Sequence, residues 1–115
     1  MTLILLKKAV QLAGESRDDK SFYMACLAKR GDGAIISSVN HCVSGQCIPE
    51  HHAEARALRK CDYGAILYIA RVLKRDRETW AMAYPCAFCR ALIKNRGVKK
   101  AYYTIGPNRW GTWVP

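Results

Sequence analysis

The segment AILYIARVL, which begins at Ala65, constrains the fold more than any other part of this sequence. It is apolar and contains β-branched residues, a pattern typical of a strand that is buried on both faces of a sheet. Helical patterns lie on either side of it: AEARALRKC, from Ala53, is rich in helix formers, and CAFCRALIKNR follows Pro85 and ends at Gly97. A buried strand between two helices predicts an α/β domain whose helices pack on a sheet.

Further elements are predicted towards both ends of the chain. Apolar residues recur at helical spacing from Leu3 to Ala13, and Gly14 is placed to end that helix. FYMACLAKR and AIISSVN flank the turn signal GDG and predict an antiparallel hairpin, and KKAYYTI and RWGTWV predict two more strands around GPN. The predicted order is helix, hairpin, helix, strand, helix and two strands, which gives a three-layer α/β domain with helices on a mixed sheet.

Two stretches lack any hydrophobic period and are predicted to be loops. The first runs from Asn40 to Glu50 and contains glycine, serine, proline and two cysteines. The second, Lys74–Glu78, is charged, so we expect it to be solvated and to have some capacity for binding anions.

The length and the ends of the chain set its expected extent and location. With 115 residues, we expect one domain over 1–115 with a single core. The opening MTLILLKKAV has neither the cleavage site of a signal peptide nor the length of a membrane span, so we expect a cytoplasmic protein without a membrane partner. Six cysteines in a reducing compartment indicate metal binding or chemistry more than disulfides.

The stretch YPCAFCR places two of those cysteines, Cys86 and Cys89, at the start of a predicted helix. Their spacing directs both sulfurs to one face, and the helix start favours the thiolate. The lack of a second CxxC argues against a zinc ribbon, and the late position in the chain argues against a thioredoxin-type redox pair. A histidine at the start of the other helix, His51 or His52, is a third candidate ligand, and three ligands with a water are typical of catalytic zinc.

The pair of motifs His52-Ala53-Glu54 and Pro85-Cys86-Ala87-Phe88-Cys89 resembles the signature of the zinc-dependent cytidine and deoxycytidylate deaminase superfamily. The resemblance extends from about Phe22 to Ile105. It implies a three-layer α/β/α cytidine-deaminase-like fold, with a mixed five-stranded sheet and a C-terminal β-hairpin.

The same resemblance implies roles for individual residues. His52, Cys86 and Cys89 would hold Zn²⁺, and Glu54 would transfer protons between an activated water and the substrate. Four further residues are expected at the substrate: Asn40, Ala53, Tyr84 and Pro85. Asn40 has an alternative role as the turn residue that closes a strand, and Tyr84 has one as a core aromatic.

The other cysteines and His41 leave a second metal site open. His41, Cys42, Cys47 and His51 could together form a structural zinc site, or the two cysteines could be free thiols in a loop. Cys26 and Cys61 are each alone in a predicted strand and a predicted helix, so we expect both to be small core residues.

The substrate class is less constrained by the sequence. The C-terminal hairpin, without room for a crossover helix, and Arg90 after Cys89 resemble the enzymes that act on free nucleosides, whereas His52 in place of cysteine is shared with deoxycytidylate, transfer-RNA and polynucleotide deaminases. The formal charge of +10 favours an anionic partner. We expect a cytosine nucleoside or nucleotide as substrate, with cytosine or adenine in single-stranded DNA or RNA as the alternative.

Two further points stay open at this stage. A zinc-stabilised nucleic-acid-binding module without catalysis is a second alternative, and assembly into a homo-oligomer is compatible with so small a domain. The three tryptophans could stack on bases or fill the core, and a short chain needs large core residues.

Overall fold

A computed structural model describes residues 2–16, 20, 22–41, 51–61 and 63–115. Its elements in chain order are α1 (Thr2–Gly14), β1 (Tyr23–Lys29), β2 (Ile35–Val39), α2 (Ala53–Leu58), β3 (Ile66–Val72), β4 (Trp80–Ala81), α3 (Ala87–Asn95), β5 (Lys100–Gly106) and β6 (Arg109–Trp113). Among the described residues, every helix and strand predicted from the sequence is present.

The strands form one mixed sheet in the order β2-β1-β3-β5-β6. The central strand β3 is antiparallel to β1 and parallel to β5, and β5 and β6 form the predicted C-terminal hairpin. The prediction of five strands was wrong by one, because β4 pairs with the end of β3 as a sixth strand in the described part of the chain. A strand of two residues is too short to show a period-2 pattern, so the sequence gives no signal for it.

Helices cover both faces of this sheet. Leu5 and Leu6 of α1 pack with Tyr68 on one face of β3, whereas Leu67 and Ile69 of β3 pack on the other face with the second helical layer. That second layer contributes Ala53, Ala57 and Leu58 from α2 and Ile93 from α3. The three-layer α/β/α architecture is therefore confirmed, and the apolar run of β3 is explained by its burial on both sides.

Four of the five residues of the charged turn after β3 are exposed, as predicted for a solvated loop, but Arg77 is half-buried. The guanidinium of Arg77 donates to the carbonyl of Ser16 and, over 2.7 Å, to the hydroxyl of Tyr23, and it lies 4.2 Å from the centre of that ring. Gly14 allows this approach, because a β-carbon there would lie 2.3 Å from the carbonyl oxygen of Arg77. Arg77 thus joins the end of α1 to the start of β1 and is not available as a free anion-binding group.

The described helices are too short or too polar to cross a membrane.

Candidate metal centre

The starts of α2 and α3 bring three metal-binding side chains together. His52 is the N-cap residue of α2 and Cys86 is that of α3, both with extended backbone, and Cys89 lies in the first turn of α3. The first helical hydrogen bonds run from Arg56 N to His52 O at 3.0 Å and from Arg90 N to Cys86 O at 2.8 Å. Each ligand is therefore held by a helix start, where the main chain is fixed.

The distances between these ligand atoms fit a zinc ion. His52 Nδ1 lies 3.7 Å from Cys86 Sγ and 3.6 Å from Cys89 Sγ. Zinc bonds of about 2.3 Å to sulfur and about 2.0 Å to nitrogen place tetrahedral sulfur and nitrogen ligands roughly 3.5 Å apart. All three ligand atoms lie within 4.8 Å of one another, and His52, Cys86 and Cys89 are the one such group in the described part of the chain.

The electrostatic environment of Cys89 also favours the binding of a cation. Burial raises the pKa of its thiol, and the nearby carboxyl of Glu54 and the thiol of Cys86 raise it further. The predicted effect of the helix start, which favours thiolate, is therefore outweighed at Cys89 by burial next to two acidic groups. A metal ion would supply the positive charge that makes the thiolate stable there.

Glu54, in the first turn of α2, is a buried acid beside this group. Only 1% of its surface is exposed, and its Oε1 atom has no hydrogen-bond partner among the described residues. Burial raises the pKa of this carboxyl to about 7, opposed by hydrogen bonds from its own backbone and from the thiol of Cys89. A carboxyl that titrates near neutrality can both accept and release a proton, as a proton-transfer group must.

The comparison with protein families matches this geometry. Residues 3–105 match the family model described as the cytidine and deoxycytidylate deaminase zinc-binding region. The chain belongs to this family. The matched region is longer than the part recognised from the motifs, because it also includes α1. No curated protein sequence matched the chain.

Membership of the deaminase family makes zinc the expected metal, and the donor set supports it. His52, Cys86 and Cys89 are positioned to bind a metal ion in this deaminase-type domain. One nitrogen and two sulfur ligands suit zinc better than the oxygen-preferring magnesium or calcium.

Asn40 is fully buried in the deaminase domain, at the end of β2. Its Oδ1 atom accepts a hydrogen bond of 2.9 Å from Met24 N, and its Nδ2 atom donates one of 2.9 Å to Phe22 O. These contacts support the alternative role of closing the strand, since they tie β2 to the start of β1. Contact between Asn40 and the substrate stays a prediction.

The other predicted substrate residues lie around the two helix starts. Ala53 is buried, and its carbonyl accepts a 2.6 Å hydrogen bond from Ser38 Oγ. Pro85 is also buried, whereas 42% of the surface of Tyr84 is exposed. The Tyr84 ring lies 5.1 Å from that of Tyr103, so it is part of an aromatic surface rather than of the core. Their contact with substrate stays a prediction.

Arg90 supports the loop that carries the cysteines. Its Nη1 atom donates to Pro85 O over 2.9 Å, and its guanidinium lies 5.3 Å from the centre of the Tyr84 ring. Arg90 can therefore affect substrate selection indirectly, by fixing the conformation of the segment from Tyr84 to Cys86.

The sequence patterns assigned no site role to Phe22, and they placed Arg71 only within a broad basic group. The Phe22 ring meets the imidazole of His52 edge-on, with centres 5.5 Å apart and planes at 83°. The guanidinium of Arg71 lies 5.3 Å from the centre of the Phe22 ring. One sequence signal could have identified Arg71: it is a single cation near the end of an apolar strand, on the same face of that strand as Leu67 and Ile69.

The proposed second zinc site falls largely outside the described residues. Cys42 and Cys47 lie in the segment 42–50, which the structure does not describe. His41 and His51 do approach each other, with ring centres 5.4 Å apart and a 2.8 Å hydrogen bond from His41 N to His51 O. The second site stays a prediction. The buried positions of Cys26 and Cys61 confirm both as core residues.

Proposed function

We propose that this domain catalyses the hydrolytic deamination of cytosine to uracil in a free nucleoside or nucleotide, with release of ammonia. The observation that carries the proposal is Glu54, a buried carboxyl with an unpartnered oxygen beside a group of only three metal ligands in the described chain. Structural zinc sites are closed by four protein ligands and have no use for a buried acid, whereas catalytic sites leave one position open.

The residues divide the chemistry between them. Zn²⁺ held by His52, Cys86 and Cys89 would act as a Lewis acid and lower the pKa of a water molecule. Glu54 takes one proton from that water and delivers it to the ring nitrogen N3, and it then transfers the second water proton from the oxygen bonded to C4 to the leaving amine. The water oxygen becomes bonded to C4, the bond from C4 to the exocyclic nitrogen breaks, and the products are uracil and ammonia.

The C-terminal hairpin supports a small substrate. β5 and β6 are antiparallel and joined by a tight turn, the arrangement that the resemblance to the deaminase superfamily implies for enzymes acting on free nucleosides. Arg90 after the second cysteine supports the same choice, and it contacts Pro85 and Tyr84, two of the residues predicted at the substrate.

The aromatic surface next to the cysteines favours a second candidate, deamination within single-stranded DNA or RNA. A shallow cleft of about 500 Å³ is lined by Met82, Tyr84, Tyr103, Thr112 and Trp113. Exposed aromatic side chains on a basic protein are typical of surfaces that stack on successive bases. A non-catalytic zinc module is disfavoured, because it would leave the burial of Glu54 without a purpose.

The test is ammonia release by zinc-loaded protein from cytidine, dCMP and a cytosine-containing single-stranded oligonucleotide, with adenosine as a further substrate. We expect turnover of cytidine or dCMP. Turnover of the oligonucleotide alone would favour the second candidate, and turnover of adenosine instead of any cytosine substrate would change the assigned base. Binding of all three without product would contradict the proposal.

A further inference from the structure

We propose that Arg71 binds a phosphate group attached to the sugar of the deaminase substrate. This inference rests on the proposed function and identifies the part of the substrate that the basic protein recognises. It starts from the position of Arg71 in β3. Alternation along the strand puts Arg71 on the same face as Leu67 and Ile69, the face covered by α2 and α3, from which the candidate metal ligands project.

The main chain beneath Arg71 is held in place on both sides. Its backbone N–H donates to Thr104 Oγ1 over 3.1 Å, and that hydroxyl donates to Ala81 O over 2.7 Å. Thr104 is fully buried, and Arg71 pairs with Ala81 in the sheet. A guanidinium carried by a fixed main chain can bind a ligand with less loss of conformational freedom than one carried by a loop.

Phe22 connects the guanidinium to the metal centre. Arg71 Cζ lies 5.3 Å from the Phe22 ring centre, and that ring centre lies 5.5 Å from the imidazole centre of His52. Arg71 is therefore no farther from the imidazole than the sum of these two distances. The guanidinium and the candidate metal ligand are thus separated by a single aromatic ring, close enough for one substrate to reach both.

The charge of Arg71 is not neutralised by a carboxylate in the described part of the chain. The ion pair found among the described residues is Arg30–Asp32, in the turn between β1 and β2. The side chain of Arg71 is exposed to solvent, and its guanidinium lies 5.3 Å from the centre of the Phe22 ring. A solvent-exposed guanidinium beside an aromatic ring can still offer its fork of N–H groups for paired hydrogen bonds to phosphate.

The phosphate could belong to a free nucleotide or to a polynucleotide, because both offer the same oxygens to a guanidinium. The experiment therefore compares kcat/KM for cytidine, CMP and a cytosine-containing oligonucleotide without a terminal phosphate. It uses the zinc-loaded wild type, Arg71→Gln and Arg71→Lys. Lys8→Gln is the matched control, since it removes one exposed positive charge from α1 on the opposite face of the sheet.

We expect Arg71→Gln to lose roughly 10- to 100-fold more activity towards CMP than towards cytidine, the effect of one charge-assisted hydrogen-bonding group. Arg71→Lys should recover part of this loss, and Lys8→Gln should not change the ratio of the two substrates. A selective loss with CMP identifies a nucleotide, and one with the oligonucleotide identifies a polynucleotide. Equal losses for all three substrates, or no loss, would overturn the inference.

A separate measurement keeps this inference distinct from the proposed function. If the wild type converts none of the three substrates, the proposed function fails, and calorimetric binding of CMP and cytidine then decides the role of Arg71. Tighter binding of CMP than of cytidine by the wild type, lost in Arg71→Gln, would support it. The same CMP affinity in both proteins would contradict it.

Discussion

At the scale of single residues, the candidate site combines buried acidic groups whose charged forms need a metal ion nearby to be stable. Cys89 is buried next to the acid Glu54, and both have a raised pKa because burial disfavours their charged forms. The burial of Cys89 and Glu54 does not stabilise the metal-free protein, since buried ionisable groups cost free energy unless they are paired. A metal ion bound to the thiolate would offset the free-energy cost of burying these groups together.

Cys89→Ala should hold one zinc fewer per chain than the wild type, because two protein ligands do not make a stable site. Cys61→Ala is the matched control, since Cys61 is also buried, and its thiol donates to Ala57 O. It should keep the wild-type metal content. Elemental analysis of dialysed protein measures both, and full zinc content in Cys89→Ala would contradict the assignment.

Asn40→Ala should lower the free energy of unfolding by about 2–4 kcal/mol, because Met24 N and Phe22 O would each lose a buried partner. Ser37→Ala, an exposed change in the same strand, should stay within about 0.5 kcal/mol of the wild type. Urea unfolding at constant zinc measures both. A loss below about 1 kcal/mol with a raised KM would shift the role of Asn40 from structure to substrate binding.

At the scale of elements, the sequence predicts the helices and strands that have a periodic apolar pattern, but it does not predict which residues of neighbouring strands are paired. α1, β3 and α3 have long apolar periods, so their existence and type follow from the pattern. The motifs also identify the three ligands and Glu54, because each lies at a helix start that has its own local signal. The approach of Phe22 to Arg71 depends instead on the register of β1 against β3, in which Tyr23 pairs with Val72, and no local pattern specifies a register.

The turn between β3 and β4 was predicted as a solvated loop, yet Asp76 organises it. Asp76 Oδ1 accepts hydrogen bonds from Glu78 N at 3.0 Å and Thr79 N at 3.1 Å, and the hydroxyl of Thr79 donates to its other oxygen. These bonds lower the pKa of the Asp76 carboxyl from 3.8 to about 2. The stabilisation is therefore fully present above about pH 4 and is lost as the pH falls towards 2.

Asp76→Ala should lower the urea midpoint at pH 6, and the difference from wild type should shrink between about pH 4 and pH 2. Glu78→Ala removes an acid from the same turn, and the structure gives its side chain no hydrogen bond or ion pair with a described residue, so it should show no such dependence. A difference for Asp76→Ala that stays constant over this pH range would show that the carboxylate form is not what stabilises the turn.

At the scale of the whole molecule, the metal centre joins elements that are distant in sequence. His52 starts α2, and Cys86 and Cys89 start α3 after the intervening β3 and β4. A bound ion would therefore tie the two helices of one layer to each other and stabilise the folded state by mass action. The edge strands β2 and β6 leave homo-oligomer formation as a prediction for solution measurements.

Zinc removal by a chelator should lower the unfolding temperature by at least about 5 °C, as expected when a tight ligand binds only the folded chain. Re-addition of zinc should restore it. The Cys89→Ala variant is the control for any other site, because it should respond much less to the chelator. An unfolding temperature that is the same with and without zinc would contradict a metal ion that bridges α2 and α3.

The proposed deamination depends on proton transfer by Glu54. The measurement that tests it most directly is the rate of ammonia release by zinc-loaded wild type and Glu54→Gln, on whichever cytosine substrate the wild type converts fastest. We expect equal zinc content in the two proteins and a rate reduced roughly 100- to 10,000-fold in Glu54→Gln. A Glu54→Gln protein with wild-type activity, or a zinc-loaded wild type that deaminates nothing, would contradict it.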